Sequence, residues 1–262
     1  MVAACGRTEK SAPLPETNLE ARNAAIVEVK QKLDLLKQAT EPQTLALINH
    51  EDHRVRRAAM KRLGEFKTAP EPAIDALLNS LKDKNDDVRI EAAIALAGLK
   101  SEAAVRPLIR ALVDTNSKVR QWAYKGLKKL GRTAVPEMIR ELGSSDDKEL
   151  EEIIIDSLSE MGKDAVPHLV TAISKKQGKT ARDAVALLGK IGKDAAEGIY
   201  VLLEIVNNSN DIELKKQAVI AIGDIGDVDP EVVPTLMNLT EDATGALAEE
   251  AKRALKKLDE NS

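Results

Sequence analysis

The 262-residue chain is 43% apolar and 31% charged, with 39 basic against 43 acidic side chains and a formal net charge of −4. That balance excludes wholesale disorder, and it excludes a polycation for nucleic acid or anionic lipid as a property of the whole chain. One cysteine and three histidines (His50, His53, His168) exclude a disulfide framework and most thiolate or histidine-rich metal sites; no apolar run reaches the ~18 residues of a membrane span.

Residues 1–16 read as a flexible N-terminal segment, because the stretch GRTEKSAPLPE has linker composition. Ahead of it, Val2-Ala3-Ala4-Cys5-Gly6 resembles a bacterial lipobox, in which an apolar residue and two small ones precede the cysteine that is lipidated. Given a signal peptide upstream, the resemblance implies lipidation at Cys5 and a lipoprotein anchored in the bacterial envelope. Only four residues precede Cys5 here, and without an upstream segment the expectation is a cytoplasmic chain with one exposed thiol. Residues 17–38 predict an amphipathic helix with Ala25, Ile26, Val29, Leu33 and Leu36 on one face and Thr17 or Asn18 as its cap. Such a helix would cover the open end of a stack of helices.

From residue 39 to 262 the sequence repeats. Val55, Val88, Val119, Leu150, Thr180, Leu214 and Leu247 recur at spacings of 33, 31, 31, 30, 34 and 33. Four residues after each anchor stand Ala59, Ala92, Ala123, Ile154, Ala184, Ala218 and Ala251; eight after stand Leu63, Leu96, Leu127, Leu158, Leu188, Ile222 and Leu255. Eleven after come Phe66, Leu99, Leu130, Met161, Ile191, Ile225 and Leu258. These offsets put every one of them on a single helical stripe. Asp52, Asn85, Asn116, Asp147, Gln177, Asp211 and Thr244 lie three residues ahead of the anchors, and all but the glutamine suit an N-cap. Gly131, Gly162, Gly192 and Gly226 suit the left-handed turn that ends a helix. A shorter helix precedes each long one, as in VRPLIRAL, VPEMIREL, VPHLVTAI and VPTLMNL, with weaker versions from Ala73 and Ala196. Each proline sits early in its helix, where its missing N–H costs little. The fold expected is all-α: a right-handed α-solenoid of about seven stacked helical hairpins, with the N-terminal capping helix at one end.

This pattern resembles the HEAT-like repeats, specifically the short form of ~30 residues found in phycobilisome-lyase-type proteins. The residues that carry the resemblance are Asp52–Arg56, the Val-Arg pairs Val88–Arg89 and Val119–Arg120, and the VP-type helix starts quoted above. It spans roughly residues 42 to 258. It implies the solenoid and leaves the function open, since such scaffolds serve many roles.

Charge is unevenly distributed: net +3 over residues 1–67, +3 over 68–142 and −10 over 143–262. The position after each anchor runs Arg56, Arg89, Arg120 and then Glu151, so stacking would align three arginines in a column. One reading makes the column internal support, with Asp52, Asp86, Asp87 or Asn116 as local partners. The other makes it part of a basic, partner-binding surface together with Trp122, Tyr124 and Lys125.

No catalytic constellation is legible. His50-Glu51-Asp52-His53 is the densest group of ligand types, but one His-Glu pair falls short of the several that deoxyhypusine hydroxylases of HEAT type use for iron. An aromatic cleft like that of HEAT-like DNA glycosylases would have to be built from Trp122, Tyr124 and Asp114 or Glu91 alone. The expectation is therefore a non-enzymatic scaffold without metal or cofactor, binding a protein partner that carries an acidic segment. A nucleic-acid-binding solenoid and a lyase- or hydroxylase-type enzyme are the alternatives. Oligomeric state is not fixed by the sequence.

Overall fold

A computed structural model describes residues 16–66, 70–99, 101–175, 178–227, 229–242 and 245–261. Cys5, Gln177 and Thr244 lie outside these residues. Fifteen α-helices and four short 3₁₀ turns account for the regular structure, and no strand occurs among the described residues. The long first helix is α1 (Glu16–Leu36), two residues shorter at its end than expected and begun before Thr17.

Seven hairpins follow, each a shorter helix and then a longer one. They pair α2 (Glu41–Leu45) with α3 (His53–Gly64), α4 (Glu71–Ser80) with α5 (Asp86–Leu99), and α6 (Val105–Ala111) with α7 (Ser117–Leu130). Next come α8 (Val135–Ser144) with α9 (Lys148–Met161), α10 (Val166–Lys175) with α11 (Lys179–Ile191), α12 (Ile199–Asn208) with α13 (Ile212–Ile225), and α14 (Val232–Asp242) with α15 (Ala246–Asn261). The fifth linker forms a 3₁₀ turn over Gly192–Gly198, so α12 starts at Ile199 rather than at Ala196.

Most of the predicted stripe is the core, with Phe66, Leu99, Leu130, Met161, Ile191, Leu214 and Leu255 half-buried along its edge. Val55, Ala59, Leu63, Val88, Ala92, Leu96, Val119, Ala123, Leu127, Ile154, Leu158, Ala184, Leu188, Ala218 and Ile222 are all buried. Each hairpin hides one apolar side and passes the other to its neighbour, so the core is one continuous cluster along the stack. Five of the expected caps accept a backbone hydrogen bond at the helix start: Asp52 from Arg54, Asn85 from Asp87, Asn116 from Lys118, Asp147 from Leu150, and Asp211 from Glu213 and Leu214. The four helix-ending glycines all have positive φ. Only Gly226 takes the left-handed helical conformation; Gly131, Gly162 and Gly192 combine positive φ with ψ between −124° and −140° and lead into 3₁₀ turns.

The capping helix behaves differently from the expectation. Val29 and Leu36 are buried and Leu33 partly so, but Ala25 is exposed and Ile26 is 53% exposed. Only the C-terminal half of α1 covers the first hairpin. At the other end Leu247, Ala251 and Leu258 face inward while Glu249, Lys252, Arg253, Lys256 and Lys257 are exposed, so α15 closes the stack with a wet outer side.

Close approach between successive long helices depends on one position pair. The residue nine after an anchor meets the residue seven after the next anchor. Four junctions place Gly against Ala there: Gly64 with Ala95, Gly126 with Ala97, Gly189 with Ala221, and Gly223 with Ala254. A Cβ built on Gly126 would lie 3.3 Å from the Ala97 Cα, and one on Gly223 would lie 2.9 Å from the Ala254 Cα. At the two junctions of α9 the corresponding pairs are Lys128 with Ser157 and Ser159 with Leu187. Neither junction has a glycine at this pair, α9 meets α7 at few points, and α11 packs on α8 as much as on α9. A Cβ on Gly143 at the end of α8 would overlap Thr180 Oγ1, which shows how closely α11 approaches α8.

Candidate functional site

The arginine column starts as an internal ladder. Arg56, on the first turn of α3, is 7% exposed. Its Nε and Nη2 donate to the two Asp83 carboxylate oxygens at 2.7 and 2.9 Å, and Nη1 donates to the carbonyls of His50 and Glu51. Arg89, 9% exposed, repeats the arrangement one hairpin on. Its Nε and Nη2 donate to Asp114 at 2.9 and 3.0 Å, Nη1 to the Asp83 carbonyl, and Nη2 also to Asp86. These are two-pronged, charge-assisted pairs. Burial pushes the Asp83 carboxyl up, but the Arg56 hydrogen bond and the Asn85 N–H more than offset this and hold it below the ordinary aspartate value. Asp83 and Asp114 each do two jobs, because each also accepts the backbone N–H two residues on, from Asn85 and Asn116. The partners are thus Asp83, Asp114 and Asp86, not Asp52 or Asp87. Arg56 and Arg89 are consumed by the chain's own acceptors and do not form a binding surface.

Arg120 is different. Its Nη1 donates to the carbonyls of Asp114 and Thr115, matching the rungs below it. The position that holds Asp83 and Asp114 is occupied in the next hairpin by Ser145. Ser145 Oγ accepts the Asp147 N–H at 3.1 Å, so it keeps the turn but offers no carboxylate to the arginine. Arg120 has no carboxylate within 4 Å among the described residues, and it is only half-buried.

The remaining predicted residues lie on α7, but not together. Trp122 and Tyr124, two residues apart, point ~200° from one another around the helix. Trp122 is half-buried against the core, with the Lys125 ammonium 4.4 Å from its ring centre. Tyr124 lies on the flank toward α9, donates its hydroxyl hydrogen bond to Glu160 and carries Lys128 5.8 Å from its ring centre. Its loss of solvent and the adjacent Glu160 charge push its hydroxyl up to about 12. Trp122, with Lys118, Lys125 and Lys129 around it, therefore forms one surface, while Tyr124 serves the α7–α9 junction.

The two basic helices contrast in their neutralisation. On α3, Arg54 pairs with Asp52, Arg56 with Asp83, Arg57 with Glu91 and Arg62 with Glu65. On α7, Lys118, Lys125, Lys128 and Lys129 are exposed, and none has a carboxylate within 4 Å among the described residues. Sequence counting alone treats the helices as equals, because it does not reveal which carboxylates fold against them.

The histidine cluster is a turn: His50 Nδ1 accepts the Asp52 N–H, and Asp52 caps α3. The Arg54 hydrogen bonds hold the Asp52 carboxyl at about 2. Among the described residues no group of three or more His, Cys, Asp or Glu side chains is placed to hold a metal ion. No helix of the described residues is long and apolar enough to cross a membrane.

The family model for HEAT repeats matches residues 15–97 and 74–159, and that for the PBS lyase HEAT-like repeat matches 214–242. No curated protein matches. Among solved structures, the complex of CpcE and CpcF of phycocyanin lyase from Nostoc sp. PCC7120 is 21% identical, covers 86% of this chain and 96% of that one, and has a TM-score of 0.39. Human deoxyhypusine hydroxylase in complex with glycerol is 15% identical over 92% of this chain and 91% of that one, with a TM-score of 0.39. A designed armadillo repeat protein is 19% identical over 84% and 100%, with a TM-score of 0.33.

Proposed function

The chain belongs to the HEAT-repeat family, and from that premise we propose that it is a non-enzymatic scaffold whose α7 face captures an acidic segment of a partner protein. The observation that carries this reading is the group of four unneutralised lysines on α7, with Trp122 set among three of them. A fixed aromatic ring beside mobile ammonium groups suits a partner that brings one apolar side chain and several carboxylates. The lysines lose little on binding, because no carboxylate of the described residues has to be displaced first.

Trp122 is the sole tryptophan, so its fluorescence reports on this face directly. Titration with a Glu-rich peptide is expected to shift the emission, and Lys125→Glu with Lys129→Glu is expected to abolish the shift while leaving the helical circular dichroism unchanged. The reading fails if the peptide leaves Trp122 unmoved. It also fails if single-stranded DNA binds in its place with an affinity that falls steeply with salt, since that is the signature of phosphate neutralisation.

A further inference from the structure

The geometry points to a carboxylate-binding slot at Arg120, an unfilled rung of the internal arginine ladder that an acidic side chain of the partner polypeptide completes. The two filled rungs define the ligand. At Arg56 and Arg89, Nη1 is fixed on the backbone carbonyls of the preceding loop, and Nε and Nη2 present their parallel N–H groups to an aspartate of the next hairpin. Arg120 is anchored through Nη1 in the same way, on Asp114 and Thr115. Its Nε and Nη2 have no hydrogen-bond partner among the described residues. A guanidinium held at one end and open at the other is preorganised: less side-chain freedom remains to be lost when a carboxylate docks.

Ser145 leaves the slot without the carboxylate that fills the other two rungs. In all three loops the residue two before the cap accepts the cap's N–H, at 2.8 Å at Asp83, 2.8 Å at Asp114 and 3.1 Å at Ser145, although α8 runs on to Ser144 and the chain leaves it extended at Ser145. Serine performs the turn half of the aspartate's job and omits the half that meets the arginine. The same stretch is where the Gly–Ala junctions stop and α9 stands away from α7, which leaves Arg120 reachable.

The slot rests on the scaffold reading only for the source of its carboxylate, and the test separates the two. The probes are the Glu-rich peptide and free succinate, and the readouts are the Arg120 Nε–Hε resonance and Trp122 fluorescence, recorded on the full chain. Peptide is expected to move the Arg120 resonance toward those of Arg56 and Arg89. Arg120→Lys, which keeps the charge and removes the fork, is expected to weaken the peptide about tenfold. Ser145→Asp supplies the missing carboxylate from within. In that variant the Arg120 resonance is expected to sit with the other two before any addition, to stay unmoved by peptide, and to be accompanied by an unchanged or higher Tm. Trp122 responding while Arg120 stays still overturns the slot and leaves the scaffold reading in place. If neither responds, both fall. Succinate alone moving Arg120 as far as the peptide does overturns the polypeptide source, and an unshifted Arg120 in Ser145→Asp overturns the geometry.

Discussion

The junctions on the two sides of α7 use the same repeat positions and reach opposite results. Toward α5, Gly126 lies against Ala97 and Arg89 is locked to Asp114. Toward α9, the positions equivalent to Ala97 and Gly126 hold Lys128 and Ser157, and the one equivalent to Asp114 holds Ser145. The core stripe continues through both junctions, with Leu127 and Leu158 fully buried. The difference therefore lies in the flanks: two small residues let backbones meet, and one carboxylate ties a loop to the hairpin before it. Where both are missing, polar contacts still cross the flanks. Tyr124 reaches Glu160, and Lys190 holds Asp156 at 2.6 Å. Lys179 spans from the Leu142 carbonyl to Glu151. Such solvent-facing pairs add less than packed surface does.

The largest expected effect comes from emptying a filled rung. Asp83→Ala leaves the buried Arg56 guanidinium without its counter-charge and should cost about 3–5 kcal/mol in denaturant unfolding. Arg120→Ala removes no ion pair among the described residues and should cost under ~1 kcal/mol. Equal losses would show that the two rungs are alike. Next, Leu127→Ala and Leu158→Ala should each cost ~2–5 kcal/mol, because the stripe is continuous through both junctions. A loss below ~1 kcal/mol at either would place that helix in a different register.

Gly126→Leu drives a side chain into Leu108 and Ala97 and should cost ~1–3 kcal/mol. Lys128→Leu at the loose junction should stay within ~0.5 kcal/mol. The smallest effect is on acid stability. The carboxyls of Asp52 and Asp83 lie below their ordinary values in the folded chain, so their contribution is complete above the unfolded pKa near 4 and is lost as pH falls. For Asp52 that loss runs from about pH 4 to about pH 2. Asp52→Asn, which still caps the helix, should flatten the pH dependence of Tm in that window; an unchanged slope would mean that Asp52 contributes nothing to acid stability.

Much of the fold was legible because the anchors recur with one apolar stripe and one cap per hairpin. The flanks were less so. The Gly–Ala junctions are visible as Gly64, Gly126, Gly189 and Gly223, but they matter only once two helices are aligned, and a stripe of core offsets does not supply that alignment. The partners of Arg56 and Arg89 lie 27 and 25 residues away, in the next hairpin's loop. The signal was an aspartate two residues before the cap, present in Asp83–Asn85 and Asp114–Asn116 and replaced in Ser145–Asp147. Trp122 and Tyr124 read as one aromatic pair in sequence, although helical geometry alone separates them. The bare half of α1 had no sequence signal, because Ile26 continues the apolar face that Val29 and Leu33 bury.

Native-state hydrogen exchange, resolved helix by helix, tests most directly whether the stack is tight on both sides of α9 and loose at it. The amides of α9 are predicted to open at a lower free energy than those of α5 and α13, whose neighbours meet them through Gly–Ala contacts. Protection of α9 equal to that of α5 and α13 would contradict a loose junction there.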